Sequence, residues 1–321
     1  MASNGAPAAI DRSRLKPFGG PAMHRTTLGR HPLLQPNPCC TRTLFVSDQQ
    51  GDEVQLYKFP NGNYLGQLPQ PPETFIQPEG ECVDATNPQH VFVTNLYSST
   101  IDEYTHSGVY VMHLNDAGEN PVSCAYRQTG STSGVLAVGN LQTASLGGGS
   151  ISIFTNNAGT WSGPTIYTPS GTSTYYVYFV AYKGTALYID GLLDATQFFF
   201  MKMSQSGMFT PVALFGTSCP CTINLPAGVQ QIGNYLAVGD QTPSPGSPNI
   251  YHVLPSGQVI GSTILSPSPS ELVQFFRQGS DLVGPDYMGA NADIYSYPGG
   301  SLLTPIAGGV VGPVGSAVSH Q

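Results

Sequence analysis

Val311-Gly312-Pro313-Val314-Gly315-Ser316-Ala317-Val318 ends the chain on a pattern that elsewhere always precedes another strand. Pro78-Glu79-Gly80-Glu81-Cys82-Val83, Pro121-Val122-Ser123-Cys124-Ala125 and Pro226-Ala227-Gly228-Val229-Gln230 carry it internally. Each of those feeds through a short turn into an apolar strand that ends in Asp or Asn. The last copy has no such strand after it. At the other end of the chain, Leu44-Phe45-Val46-Ser47-Asp48 is such a strand with no motif before it. Two unpartnered apolar strands are both satisfied if they pair with each other, which predicts a ring sealed by its own termini.

Between these ends a unit recurs at about 47 residues, a period that signals radial repeats. The strand ending in an acid or amide stands at Leu44 to Asp48, Val91 to Asn95, Leu136 to Asn140, Leu187 to Gly191, Leu236 to Asp240 and Leu282 to Asp286. In the fourth copy Gly191 takes the terminal place and Asp190 precedes it. A second alternating strand follows each, such as Ile101 to Tyr104 or Ile294 to Tyr297, and then a turn carrying Asn61-Gly62, Ser107-Gly108, Ser256-Gly257 or a relative. Alternation gives each strand one face for a neighbouring sheet, and the Gly turns are those hairpins need. With a third strand and the Pro-x-Gly strand, each unit has four. The fold expected is all-β, a six-bladed β-propeller with four antiparallel strands per blade, closed by pairing of the C-terminal strand with the N-terminal blade. Deleting the last copy should then unfold or aggregate the protein. Residues 1–42, with Pro7, Pro17, Pro21, Pro32, Pro36 and Pro38, read as an irregular or disordered arm, and 43–321 as the propeller.

Composition agrees. Charged residues are 9% of the 321, while 38 Gly and 28 Pro favour short strands and turns over charged amphipathic helices. Residues 1–40 carry Arg12, Arg14, Lys16, Arg25 and Arg30 against Asp11, a net +4, which leaves 18 acids and 6 bases beyond, a net −12. So acidic a body repels phosphate backbones and excludes nucleic acid as a partner. No apolar run reaches 18 residues, so no membrane-spanning helix is expected. Six cysteines in a low-charge, Gly/Ser/Thr-rich β chain suit an oxidising compartment. The protein is therefore expected to be secreted or periplasmic, with its signal peptide missing from this chain. Cys82 and Cys124 lie on inner strands of consecutive blades and are the disulfide candidate; the connectivity of Cys39, Cys40, Cys219 and Cys221 is open.

Candidate chemistry gathers where inner strands start and second strands end, on one mouth of the channel. Asp48, Asn95, Asn140, Asp190, Asp240 and Asp286 ring it, a set of oxygens that would suit Ca²⁺. A strand-terminal Asp or Asn also bonds the backbone of the following turn, and its recurrence in nearly every blade fits that local role. Glu79 and Glu81 are candidate acid/base groups if burial raises a pKa. The histidines do not cluster, and no Gly-x-Ser-x-Gly elbow or His-x-x-x-His helix occurs, so no nucleophilic triad or zinc helix is expected. Aromatic residues offer flat apolar surface with polar tips for a small molecule, carbohydrate or protein ligand. The residues expected on a ligand-binding rim are Asn95, Tyr97, Asn140, Tyr176, Glu271 and Tyr287.

The run from Pro78 to Leu114, with Gly80-Glu81-Cys82-Val83-Asp84, Val93-Thr94-Asn95 and Ile101-Asp102-Glu103-Tyr104, resembles the NHL-type and gluconolactonase-like six-bladed propellers, and within them uncharacterised secreted bacterial proteins. The resemblance spans about residues 43 to 319 and implies this architecture. It also implies a choice of activity, since such propellers include binding platforms, lactonases and lyases. The places of the lactonase metal ligands fall here on Glu81, Cys124, Gly228 and Glu271, a different donor set. The expected function is therefore an extracytoplasmic, monomeric binding module that needs no cofactor. The alternative is a Ca²⁺-dependent hydrolase of lactonase type with Glu81 assisting.

Overall fold

The two strands left unpartnered in the sequence are partners. In this computed structural model, which describes residues 42–86, 89–143, 147–171, 173–216, 222–306 and 308–321, the first strand runs antiparallel to the last. The register goes from Arg42↔His320 to Ser47↔Gly315 and then shifts at Asp48↔Pro313. Six four-stranded antiparallel sheets make up the molecule. The first blade contains β1 (Arg42–Asp48), β2 (Glu53–Lys58) and β3 (Asn63–Gln67), and is completed on its inner side by the C-terminal strand. The second has β4 (Pro78–Val83), β5 (His90–Asn95), β6 (Thr100–Thr105) and β7 (Tyr110–Asn115). The third has β8 (Glu119–Gln128), β9 (Ser133–Thr143), β10 (Ser150–Asn157) and β11 (Thr160–Tyr167). The fourth has β12 (Tyr175–Lys183), β13 (Ala186–Leu193), β14 (Gln197–Met203) and β15 (Phe209–Pro211). The fifth has β16 (Pro226–Ile232), β17 (Tyr235–Asp240), β18 (Ile250–Val253) and β19 (Val259–Thr263). The sixth has β20 (Phe276–Gln278), β21 (Asp281–Asp286), β22 (Asn291–Ser296) and β23 (Leu302–Thr304), and the closing strand is β24 (Pro313–His320). β1 begins at Arg42, one residue before the expected boundary; residues 1–41 and Cys219 and Cys221 lie outside the described residues.

The Pro-x-Gly motif is an inter-blade device. A Cβ on Gly315 would come within 2.2 Å of the Glu79 carbonyl oxygen on the next blade, and one on Gly80 within 2.5 Å of the Val122 carbonyl oxygen on the blade after. Glycine is what lets adjacent inner strands approach so closely. The same neighbourhood carries the disulfide, Cys82 to Cys124, with a Cα–Cα separation of 5.6 Å, joining β4 to β8. In the sixth blade the motif is replaced by Ser270 to Gln274. There the inner strand proper shrinks to three residues, with Leu272 bridging Asp286 alone. Gln274 compensates by reaching past β24 to the second blade, where its side chain accepts from the Glu81 N–H at 2.7 Å and donates to the Glu81 carbonyl at 2.9 Å.

Between blades the faces are apolar. Phe45, Val54, Leu56, Val91, Val93 and Tyr104 fill the joint between the first and second blades, and Leu44, Val46, Tyr57, Val283 and Ile294 the joint between the sixth and first. β24 is buried along nearly its whole length, from Pro313 to Ser319.

Candidate functional site

Side chains from blades that are not neighbours can meet only on the axis. Leu96, Val122, Leu141, Tyr178, Val273, Tyr287 and Val314 do so in one buried cluster, drawing on the second, third, fourth, sixth and first blades. They occupy either the position after the strand-terminal acid or amide or the start of an inner strand. The expected channel is thus closed to solvent at this level, and the site is a mouth over an apolar plug.

Two polar groups are set into that plug. Glu79, at the second place of its Pro-x-Gly motif, is fully buried. It accepts from the Gln49 amide, and its other oxygen has no hydrogen-bond partner. Desolvation pushes its carboxyl well above the usual range. Its proximity also raises the phenols of Tyr97, Tyr178 and Tyr287, in each case second to burial or further down. Gln241, which follows Asp240 on the opposite side of the ring, is fully buried with both amide atoms unpartnered. Glu81 points elsewhere, into the joint between the first and second blades. There it accepts from Ser47 Oγ at 2.7 Å, and burial pushes it up to about 8.

The strand-terminal residues hold backbone. Asp48 accepts from the N–H groups of Val311 at 2.7 Å and Gly312 at 2.8 Å, which fastens the loop before the closing strand. Asp286 does the same for Ser270 and Glu271, Asp240 for Asn224 and Leu225, and Asn95 for Ile76. Asn140 instead donates to Ser150 and Ser152, and Asp190 accepts from the Phe179 N–H where β12 bulges. Asn140 Oδ1 and Asp190 Oδ2 have no hydrogen-bond partner. These bonds orient the carboxylates along the loops of their own blades rather than toward one another.

Of the residues expected on the rim, Tyr97 is exposed and Glu271 half-buried. Asn95, Asn140, Tyr176 and Tyr287 are buried, Tyr287 under a hydrogen bond from Gln50 at 2.7 Å. The exposed surface of the mouth comes instead from residues that sequence reasoning passed over. Ile76 is 45% exposed, Met288 66% and Val311 37%, beside Tyr97 at 53%. Each stands either just before an inner strand or just after a terminal Asp or Asn, in the sixth, first and second blades. That position is their sequence signal.

No protein-family model and no curated protein matches the chain. Solved structures do match over nearly its whole length. One is a chain from a nidogen/laminin complex, 11% identical, covering 87% of this chain and 98% of its own at a TM-score of 0.62. A protein of unknown function from Bacteroides caccae is 11% identical, covering 88% and 100%, at a TM-score of 0.60. A catalytically inactive virginiamycin B lyase from Staphylococcus aureus with quinupristin is 11% identical, covering 91% and 98%, at a TM-score of 0.54. The likeness is one of fold. The nidogen/laminin and lyase neighbours are six-bladed propellers, so the same build serves in a protein complex and in a lyase.

Proposed function

We propose that this chain is an extracytoplasmic binding module that takes an apolar, positively charged protein segment on the mouth formed by its sixth, first and second blades. The observation that carries the reading is a division of side chains between the two rims. All six Lys and Arg beyond residue 41, namely Arg42, Lys58, Arg127, Lys183, Lys202 and Arg277, lie toward the ends of strands that run to the back of the ring. Among the described residues the mouth has no Lys or Arg. It bears Asp52, Glu53, Glu73, Asp194 and Glu271 at or near its surface, beside the apolar group of Ile76, Tyr97, Met288 and Val311. Apolar side chains collected on one rim mark an interaction surface, and single-sign charge around them selects a partner of opposite sign.

Burial raises the Glu79 carboxyl well above its usual range and raises the Tyr178 phenol, which holds both toward their neutral forms under the mouth. The Cys82–Cys124 disulfide supports an oxidising compartment. A fold neighbour from a nidogen/laminin complex is an instance of this architecture working in a protein assembly.

The test is selection from a displayed peptide library, followed by titration of the selected peptides. The reading expects sequences with an apolar side chain beside Lys or Arg. It expects their affinity to fall roughly tenfold or more on Tyr97→Ser or Met288→Ser, and to weaken with added salt. Met208→Ser, in the turn after β14 at the back, should leave it unchanged. Selected peptides indifferent to both mouth substitutions would refute it.

A further inference from the structure

Beside the mouth, the second blade carries a group of metal-ligating side chains that the binding surface does not use. Asp102 on β6 and His113 on β7 are direct partners across the antiparallel ladder, which puts their side chains on one face at neighbouring positions. Glu73 comes over them from the connection between β3 and β4. Three local contacts fix that connection: Phe75 is buried, Asn95 donates to the Thr74 carbonyl at 3.1 Å, and Tyr104 donates to the Pro69 carbonyl at 3.0 Å. One ligand atom from each of Glu73, Asp102 and His113 lies within 4.8 Å of the other two, and among the described residues this is the one such group of His, Cys, Asp and Glu. His113 Nδ1 is 3.1 Å from Glu73 Oε2 and 3.2 Å from the Tyr110 hydroxyl.

A second observation points to a ligand. Asp102 is fully buried, yet its Oδ1 has no hydrogen-bond partner. Its Oδ2 is reached by Asn95 Nδ2 only at 3.5 Å and by Thr100 Oγ1 at 3.4 Å. A buried carboxylate so poorly served costs free energy unless a cation meets it. Among the described residues no Lys or Arg lies at this rim to do so. Burial accordingly pushes Asp102 up to about 7, against the opposing effects of Asn95 and His113.

We propose that Glu73, Asp102 and His113 form a divalent-cation site of the Zn²⁺ class. Two carboxylate oxygens and one imidazole nitrogen suit zinc, which takes three protein ligands and leaves a fourth position for water or for a ligand atom of a partner. Purely oxygen-seeking ions such as Ca²⁺ call for six to eight oxygens, and this group offers fewer. Glu73 and His113 are partly exposed, at 41% and 35% of their side chains, so the ion has an entry path and both can be changed without disturbing the core. The site shares Asn95 with the mouth, since that residue's amide contacts both Thr74 and Asp102.

The test is equilibrium dialysis of the full chain against Zn²⁺ after chelation, with Ca²⁺ in a parallel arm. The wild type should retain a stoichiometric Zn²⁺ in the presence of excess Ca²⁺, and Glu73→Gln and His113→Ala should each weaken retention by roughly tenfold or more while leaving the unfolding midpoint of the metal-free protein in place. Absence of stoichiometric Zn²⁺ on the wild type overturns the proposal. So does Zn²⁺ that is retained equally by the Glu73→Gln/His113→Ala double variant, since the ion would then be held elsewhere, for instance by the thiols of Cys39, Cys40, Cys219 and Cys221.

Discussion

Glu81 shows how a residue can be visible in the sequence and its role hidden. Its carboxyl is enclosed between the first and second blades with Ser47, and it titrates at about 8 rather than at an ordinary 4.5. The folded state therefore binds a proton that the unfolded chain releases. The stability contributed by the neutral group is whole below about pH 4.5 and is lost as the pH rises through 8, by up to about 5 kcal/mol at full ionisation. Glu79 and Asp190 act in the same direction, both raised by burial. Urea unfolding should thus show the protein losing stability from pH 5 to pH 9, with Glu81→Gln flattening the slope; a stability that rises over that range contradicts the assignment. Sequence could place Glu79 and Glu81 at the start of an inner strand, because the Pro-x-Gly repeat fixes that position. Which of the two faces the axis depends on the register shift between Pro78 and Glu81 in the β4–β5 ladder, and no residue type announces it. The same limit applies to Asn95, Asn140, Tyr176 and Tyr287. Their positions near the mouth were legible from strand ends, whereas their burial follows from the hydrogen bonds and packing partners they find in space.

Elements were legible wherever a period repeated. The strand ending in Asp or Asn, the Gly turn and the inner-strand motif each recur, and the observed strands follow them closely. Departures came where one copy had lost its signature. The sixth blade has neither the Pro nor the Gly, and its inner strand is short and tied by Gln274 to Glu81. The fourth bulges between Val177 and Val180. Asp102 and His113 were separately visible, but pairing them requires the β6–β7 register, and Glu73 sits in a Pro-rich connection without periodicity. The Cys82–Cys124 link was readable from adjacent inner strands. It joins residues 42 positions apart in sequence, and by the loop-entropy account a crosslink of that span is worth about 3–4 kcal/mol. Cys82→Ser/Cys124→Ser should lower the urea midpoint to match that loss, at an unchanged dependence on denaturant. An unaltered midpoint would mean that the second and third blades are held by apolar packing alone.

At the scale of the whole molecule, the ring depends on its last strand, β24. β24 is inner strand to the first blade, and its end is tied to the second, where Gln89 donates from its backbone to the His320 carbonyl at 3.0 Å. Removing residues 313–321 exposes the apolar faces of both blades. The truncated chain should show no cooperative unfolding transition and should aggregate; a cooperative transition near that of the full chain would show that closure is not structural. Closure also builds the mouth, because Val311 and Gly312 are held by Asp48 and place the first blade's contribution between Met288 and Tyr97. The charge division between the rims belongs to this scale too. It arises from where strands end and is invisible in the overall −8 of the chain.

Backbone hydrogen exchange with and without a selected peptide tests the proposed mouth most directly. The account predicts slowed exchange at residues 74–77, 96–99 and 287–290 on binding, with the turns 204–208 and 254–258 at the back unchanged. Protection confined to those back turns, with the mouth segments exchanging as before, would contradict it.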